Sequence, residues 1–289
     1  SSSRHRMEEL RRTFFHIHLW KTAGTTFLNI CRDNFGKAFQ RDIMLIQNWS
    51  LSKDQLHWLL NYHPWLRCYS CHMLSGDLPY DSGVAEVLGI AFVRDPVDRF
   101  VSSYTFQQNP NYRGGFAHET SFDDFCFQAL DKEDNPLWRN GQTYVLGNGR
   151  TEEALGRITQ RVKQGRLALF PAERFNESCM ALERGFPHDF GDCSYAGAAN
   201  VSPKKETVTE AQRQSISRYM DLDNRLLELA HESLDASLHS LFPDSSEYKD
   251  FNSDFAARCA KKRKRQRKLY VLNRFEAHLS SMVKKCLRI

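Results

Sequence analysis

A lysine, a glycine and three threonines crowd into six residues, Lys21-Thr22-Ala23-Gly24-Thr25-Thr26. At the start of a helix, such a cluster offers backbone N–H groups, hydroxyls and one ammonium to an anion. It is not the nucleotide triphosphatase loop G-x-x-x-x-G-K-[ST], because the lysine precedes the glycine and no glycine opens the loop. Alone, the segment could equally be a structural strand-to-helix junction. A second group strengthens the anion reading. In Phe92-Val93-Arg94-Asp95-Pro96-Val97-Asp98-Arg99-Phe100-Val101-Ser102 an arginine is followed eight residues later by a serine. A guanidinium fork and a hydroxyl can converge on one phosphate.

These groups act together only if the elements carrying them end at one place. Phe14-Phe15-His16-Ile17-His18-Leu19 is β-rich and short, and Phe27, Ile30 and Cys31 then recur at helical spacing, so the first cluster joins a strand to a helix. Ser52-Lys53-Asp54-Gln55 reads as a capping box opening a helix over 56–62, and 67–73 reads as a strand. A third strand, 89–93, ends at Arg94, with Pro96 placed for the first turn of a helix through Phe106. Helices are expected at 121–130 and 151–164, with a strand at 167–170. A capping box at Thr207-Val208-Thr209-Glu210 opens another helix, and 222–241 is amphipathic. Strands alternating with helices predict an α/β fold with a mostly parallel sheet flanked by helices and a helical C-terminal part.

The chain has 289 residues, 41% hydrophobic, 26% charged and 12% aromatic, which excludes disordered and fibrous classes and suits one large or two small domains. Its net charge of +5 is unevenly placed: residues 261–289 carry +10 and residues 1–12 carry +2, which leaves −7 on 13–260. The body is therefore no general polyanion binder. No apolar run approaches the ~18–20 residues that span a bilayer, so the chain as given is expected to be soluble. It opens on Ser1-Ser2-Ser3-Arg4-His5-Arg6, either a natural start or the edge of a longer, anchored protein. Eight cysteines are scattered, and Cys68-Tyr69-Ser70-Cys71 lacks the second pair a zinc knuckle needs. Sequons at Asn48, Asn176 and Asn200 are about as many as chance gives and decide nothing.

His18-Leu19-Trp20-Lys21-Thr22-Ala23-Gly24-Thr25-Thr26-Phe27 resembles the 5'-phosphosulfate loop of sulfotransferases that use 3'-phosphoadenosine 5'-phosphosulfate (PAPS), and the segment from Phe92 to Tyr104 resembles their 3'-phosphate strand and helix. The combination is most similar to the carbohydrate branch, which includes heparan sulfate 2-O- and 6-O-sulfotransferases and bacterial relatives. Weaker echoes at Asn140-Gly141-Gln142-Thr143-Tyr144, Glu173-Arg174-Phe175 and Asn200-Val201-Ser202 extend the likeness over roughly 14–240. Leu19-Trp20 departs from the pattern, since relatives usually have proline just before the lysine.

The resemblance implies a P-loop-like α/β sheet and a domain over 13–260. Lys21 would contact the 5'-phosphate and the bridging oxygen, with Thr22, Ala23, Gly24, Thr25 and Thr26 around the phosphosulfate, and Arg94 and Ser102 would hold the 3'-phosphate. No metal is implied, because sulfuryl transfer carries less charge than phosphoryl transfer and a lysine can offset what builds on the leaving phosphate. A hydroxyl acceptor then needs a base. Cys71-His72-Met73-Leu74-Ser75-Gly76 resembles the family's histidine-bearing strand, with cysteine in place of its first glycine, and points to His72. The alternative is a structural histidine at that position. His16 and His18 are expected to be buried, and His57, His118, His188, His231 and His278 to be solvated. An imidazole near pKa ~6.5 suits the task.

The reaction implied is sulfuryl transfer from PAPS to a carbohydrate hydroxyl. The alternatives are a small alcohol, phenol or amine acceptor, or a non-catalytic nucleotide- or polyanion-binding protein. A kinase would need carboxylates for magnesium and a glycine-first loop. The acceptor pocket is expected in the loop 107–120, with Tyr104, Phe106, Tyr112 and Phe116 as stacking residues or ordinary core. Lys261-Lys262-Arg263-Lys264-Arg265-Gln266-Arg267-Lys268 opens a basic amphipathic tail, 261–289, with Leu272, Phe275, Leu279, Met282 and Cys286 at spacings of 3 and 4. It reads as a solvated helix face, a dock for a polyanionic acceptor, or a nucleic-acid element, although no nucleic acid is expected from the rest of the chain. A eukaryotic carbohydrate enzyme would sit in the Golgi lumen with its anchor missing here, and a bacterial one in the cytoplasm.

Overall fold

The computed structural model describes residues 10–41, 50–108, 120–132, 137–197 and 208–286, with side chains to residue 268. Strands β1 (Arg12–Ile17), β2 (Phe39–Arg41), β3 (Cys68–Cys71), β4 (Glu86–Val93) and β5 (Leu167–Pro171) form one sheet in the order β2-β3-β1-β4-β5, every pairing parallel. The helices are α1 (Gly24–Phe35), α2 (Lys53–Tyr62), α3 (Pro96–Gln107), α4 (Phe122–Cys126), α5 (Gly141–Gly147), α6 (Glu152–Lys163), α7 (Phe175–Gly185), α8 (Glu210–Ser217), α9 (Asp221–Leu241) and α10 (Ser245–Cys286).

After β1 the chain turns toward the β2 edge, and after β4 it goes on to the β5 edge. Between two neighbouring strands whose connections part in this way, a crevice opens at their carboxyl ends. Both anion motifs leave the sheet there, one after β1 and one after β4. Alternation along β1 sorts its side chains between two cores. Phe15, Ile17 and Leu19 face a cluster with Leu56, Leu59 and Leu226, whereas Phe14 joins Phe27, Phe92 and Phe190 on the side of α1. His16 and His18 share the face of Phe14.

Local signals explain most boundaries. Ser52 and Gln55 form the expected capping box at α2, and Pro96 opens α3 behind Asp95, whose side chain accepts from the Asp98 amide. The box expected at Thr207 and Glu210 is instead built by Thr209 and Gln212, two residues later, because Thr209 is the residue in extended conformation before the helix. The helix expected over 121–130 is split: α4 ends at Cys126 and a π-helical turn follows over Phe127–Lys132. Three-residue β2 is too short to announce itself by alternation. Cys68 and Cys71 lie at the two ends of β3 in different cores, so they face opposite sides of the sheet and cannot share one ligand.

The C-terminal helix begins at Ser245 rather than after the basic run, and its backbone passes residue 261 without a break. Phe255 and Cys259 pack into the α1-side core, and Arg258 pairs with Glu183, Asp192 and Asp254. Lys262 donates to the Ser194 carbonyl and Arg263 to that of Ala196. Residues 264–268 are exposed. The side chains of the apolar stripe from Leu272 to Cys286 lie outside the described residues.

Candidate functional site

The loop after β1 is shaped by two left-handed residues, Lys21 (φ 66°) and Ala23 (φ 67°). Non-glycine residues adopt that conformation at a cost of order 1–3 kcal/mol, and they cluster where a ligand is held. The Thr22 hydroxyl donates to the Leu19 carbonyl at 3.0 Å and closes the turn from inside, so its side chain braces the loop. Thr26 and Phe27 donate their amides to the Ala23 carbonyl, which starts α1. Thr25 is half-buried on the first turn and Thr26 is buried.

Arg94 meets this loop directly, its Nη1 donating to the Lys21 carbonyl at 3.3 Å. Its backbone is gripped by the Gln142 side chain at two points: the Arg94 amide donates to Oε1 at 2.9 Å, and Nε2 donates to the Arg94 carbonyl at 2.9 Å. Gln142 is itself fixed by Asp223 on α9, a fully buried carboxylate that accepts from the amides of Gln142 and Thr143 and from the Thr143 hydroxyl. Burial, then the Arg94 charge, pulls the Lys21 ammonium below its ordinary pKa. Among the described residues no carboxylate pairs with either cation. The Lys21 Nζ lies over the Phe106 ring, 4.6 Å from its centroid. Ser102 is half-buried one turn before Phe106 on α3 and therefore shares the face that meets the loop, though no hydrogen bond joins it to Arg94.

The sheet register builds the rest. His16 pairs with Ser70 and Ile17 with Cys71, so His18 and His72 leave neighbouring strands side by side on one face. The His16 Nδ1 meets the Ser70 hydroxyl at 2.7 Å, and the His18 and His72 rings stack 3.8 Å apart. His72 is exposed, and its Nδ1 lies 2.7 Å from the His18 carbonyl oxygen. A carbonyl only accepts, so Nδ1 carries the proton and Nε2 keeps a lone pair. The His18 ring also covers the loop: a Cβ on Gly24 would lie 2.0 Å from its Cδ2, so only glycine fits there. At the other end of the histidine segment a Cβ on Gly76 would stand 1.9 Å from the Leu146 carbonyl, which lets this turn lie against α5.

Burial, aided by His72, holds the His18 imidazole down to about 3, and burial with the neighbouring histidines holds His16 well below its ordinary 6.5. Both stay neutral when folded, whereas in the unfolded chain they protonate as the pH drops through 6.5. Stability is therefore whole above 6.5 and declines toward pH 3. Each ring contributes about 1.4 kcal/mol per pH unit inside that window. Urea midpoints should fall between pH 7 and pH 5; equal midpoints would refute the neutral buried pair.

With this geometry in place, residues 9–146 match the model of the sulfotransferase family. Through them, this segment of the chain belongs to the sulfotransferase family. Among solved structures it is similar to a sulfotransferase from Alicyclobacillus acidocaldarius, at 14% identity and a TM-score of 0.41, over 76% of this chain and 96% of that one. No curated protein matches its sequence significantly.

This sulfotransferase is thus an enzyme of sulfuryl transfer, and its family implies PAPS as the donor and a hydroxyl-bearing acceptor. The donor fits the site: Lys21 and Arg94, two neighbouring cations with no carboxylate partner among the described residues, stand at a loop whose conformation is left-handed at two positions. Three contributors are not singled out as site residues by the sequence. His18 looks like any buried strand residue, and Gln142 and Asp223 act through contacts 48 and 81 residues apart in the chain. Tyr104 is no stacking residue, because it is buried against Phe122 and Phe125 with its hydroxyl on the Thr120 carbonyl. Tyr112, Phe116, His118 and most of the expected acceptor loop lie outside the described residues, as do Asn48 and Asn200.

Proposed function

We propose that the sulfotransferase moves the sulfuryl group of PAPS to a carbohydrate hydroxyl with His72 as general base. The observation that carries the base is the bond from His72 Nδ1 to the His18 carbonyl, which leaves Nε2 as the proton acceptor at an exposed position. PAPS supplies the sulfuryl group and leaves as 3'-phosphoadenosine 5'-phosphate (PAP). His72 takes the hydroxyl proton while the acceptor oxygen bonds to sulfur and the bond from sulfur to the bridging oxygen breaks. Lys21 offsets the charge left on the 5'-phosphate, with Gly24, Thr25 and Thr26 around it, and Arg94 with Ser102 holds the 3'-phosphate.

The carbohydrate acceptor rests on the likeness of the two phosphate motifs to the carbohydrate branch. A polyanionic polymer would also find the exposed cations of 264–268, beyond the brace made by Lys262 and Arg263. The experiment is a screen with radiolabelled PAPS against desulfated polysaccharides and small alcohols, phenols and amines, run on the full chain and on a chain ending at Arg263. Transfer to a polysaccharide is expected, with a higher acceptor KM and a flatter salt dependence in the shorter chain. Transfer to small molecules alone would overturn the carbohydrate reading, and identical kinetics would make the basic run a solvated helix face. Failure to bind PAP would sink the donor site itself.

A further inference from the structure

On the two sides of β4 the neighbouring strands end early: β1 opposite Ala91, and β5 opposite Val93 at Pro171. Arg94 is the first residue past both. There the Gln142 side chain exchanges two bonds with its backbone, accepting from the amide and donating to the carbonyl, each at 2.9 Å. Such a double exchange is what a facing strand residue makes in an antiparallel ladder; here a side chain supplies it. The next amide, that of Asp95, donates to Glu173 Oε1 at 2.7 Å. The two weaker echoes of the family pattern, at 140–144 and 173–175, therefore meet on the peptide that joins Arg94 to Asp95.

We propose that Gln142 is a positioning residue for the nucleotide: by fixing the Arg94 backbone, it makes the site select a donor that carries a 3'-phosphate over one that lacks it. This rests on the reading of Arg94 as the 3'-phosphate residue. A primary amide on a two-carbon stem meets both demands of that backbone. Glutamate has no donor for the carbonyl, and asparagine is one methylene short. Gln142 is itself held at both ends. Its side chain is buried, and its own amide donates to Asp223 Oδ2 at 3.1 Å, while Asp223 Oδ1 accepts the Thr143 amide and hydroxyl at 2.8 Å each. A guanidinium grips phosphate by a planar fork, so its orientation counts as much as its charge. Freeing the backbone lets the fork turn away with the charge intact. The loop after β1 is closed by its own bonds, from Thr22 to Leu19 and from Thr26 and Phe27 to Ala23, so the loss falls on the 3'-phosphate and spares the 5' side.

The test is calorimetric titration of the full chain with PAP and with adenosine 5'-monophosphate, which lacks only the 3'-phosphate. Wild type is compared with Gln142→Met, Thr143→Val, Arg94→Met and the double variant Arg94→Met/Gln142→Met. Wild type should prefer PAP. Gln142→Met keeps the volume and loses both bonds; it should lower PAP affinity about tenfold, the worth of one hydrogen bond to a charged group, and leave the monophosphate unchanged. Thr143→Val keeps the two amide bonds to Asp223 and should shift the same preference in the same direction by less. With Arg94 already replaced, the change at 142 should cost nothing further, since a positioning residue then has nothing to position. Three results overturn the proposal and leave the donor site standing: a wild-type preference for PAP in every variant at 142 or 143 that folds, a parallel loss of both nucleotides, or the same tenfold loss when Arg94 is absent. Wild type that binds the two nucleotides alike, or Arg94→Met with undiminished PAP affinity, overturns instead the reading of Arg94 on which the proposal rests.

Discussion

Alanine at position 72 is expected to lower turnover about 10²- to 10⁴-fold while PAP binds as before. The imidazole is exposed just after β3 and stacks on His18 from the solvent side, so its removal should not unfold the chain. It lies on the β3 side of β1, whereas Arg94 follows β4 on the other, which is why nucleotide affinity should survive. A second variant sharpens the result. Asparagine can keep the bond to the His18 carbonyl through its amide but cannot accept a proton near neutral pH, so His72→Asn should be as inactive as His72→Ala. Full activity in either variant, measured in single-turnover assays, would remove His72 from the chemistry. Activity in His72→Asn alone would make the residue a brace for His18.

Replacing Lys21 is the other large effect. Methionine at 21 keeps the stem against Phe106 and loses the charge. Loss of one preorganised electrostatic contact costs about 10²- to 10³-fold in kcat. Because the ammonium meets the phosphate before reaction as well as during it, PAP affinity should fall too. The free enzyme should respond in the opposite sense. Lys21 is partly desolvated beside Arg94, and both influences disfavour its charged form. Lys21→Met should therefore melt no lower than wild type in the absence of nucleotide. A variant that loses activity and melting temperature together would mean that the lysine serves the fold, and an unimpaired rate would refute its part in transfer.

The residues proposed to meet the donor were legible because they sit in two continuous stretches whose chemistry and position reinforce each other: a lysine, glycine and threonines at a strand end, and an arginine before a proline-led helix. The strands bearing them were legible for the same reason, since short apolar runs alternate with amphipathic ones. What stayed hidden is set by tertiary pairing. The contact between His18 and His72 depends on the register of β1 against β3, which no local pattern encodes. The grip of Gln142 on Arg94 depends on a carboxylate from α9 arriving at the start of α5. Thr22 has a second part that residue type does not announce: the sharpness of the turn draws its hydroxyl inward, onto the Leu19 carbonyl. The α8 cap falls two residues later than the sequence suggests because Thr209, in extended conformation, is the residue that leads into the helix.

The stretch that carries the family signature, 9–146, is a unit of ancestry and not a unit of assembly. It ends inside α5, before β5 completes the sheet edge and before Asp223 arrives to hold Gln142. Cut there, the segment would retain every residue proposed to touch the donor and lose the Asp223 anchor of Gln142, whose side chain holds the Arg94 backbone. Transplanting this activity onto another scaffold therefore means carrying α9 along with the signature, and a swap of acceptor specificity is better made by exchanging surface loops within the whole chain.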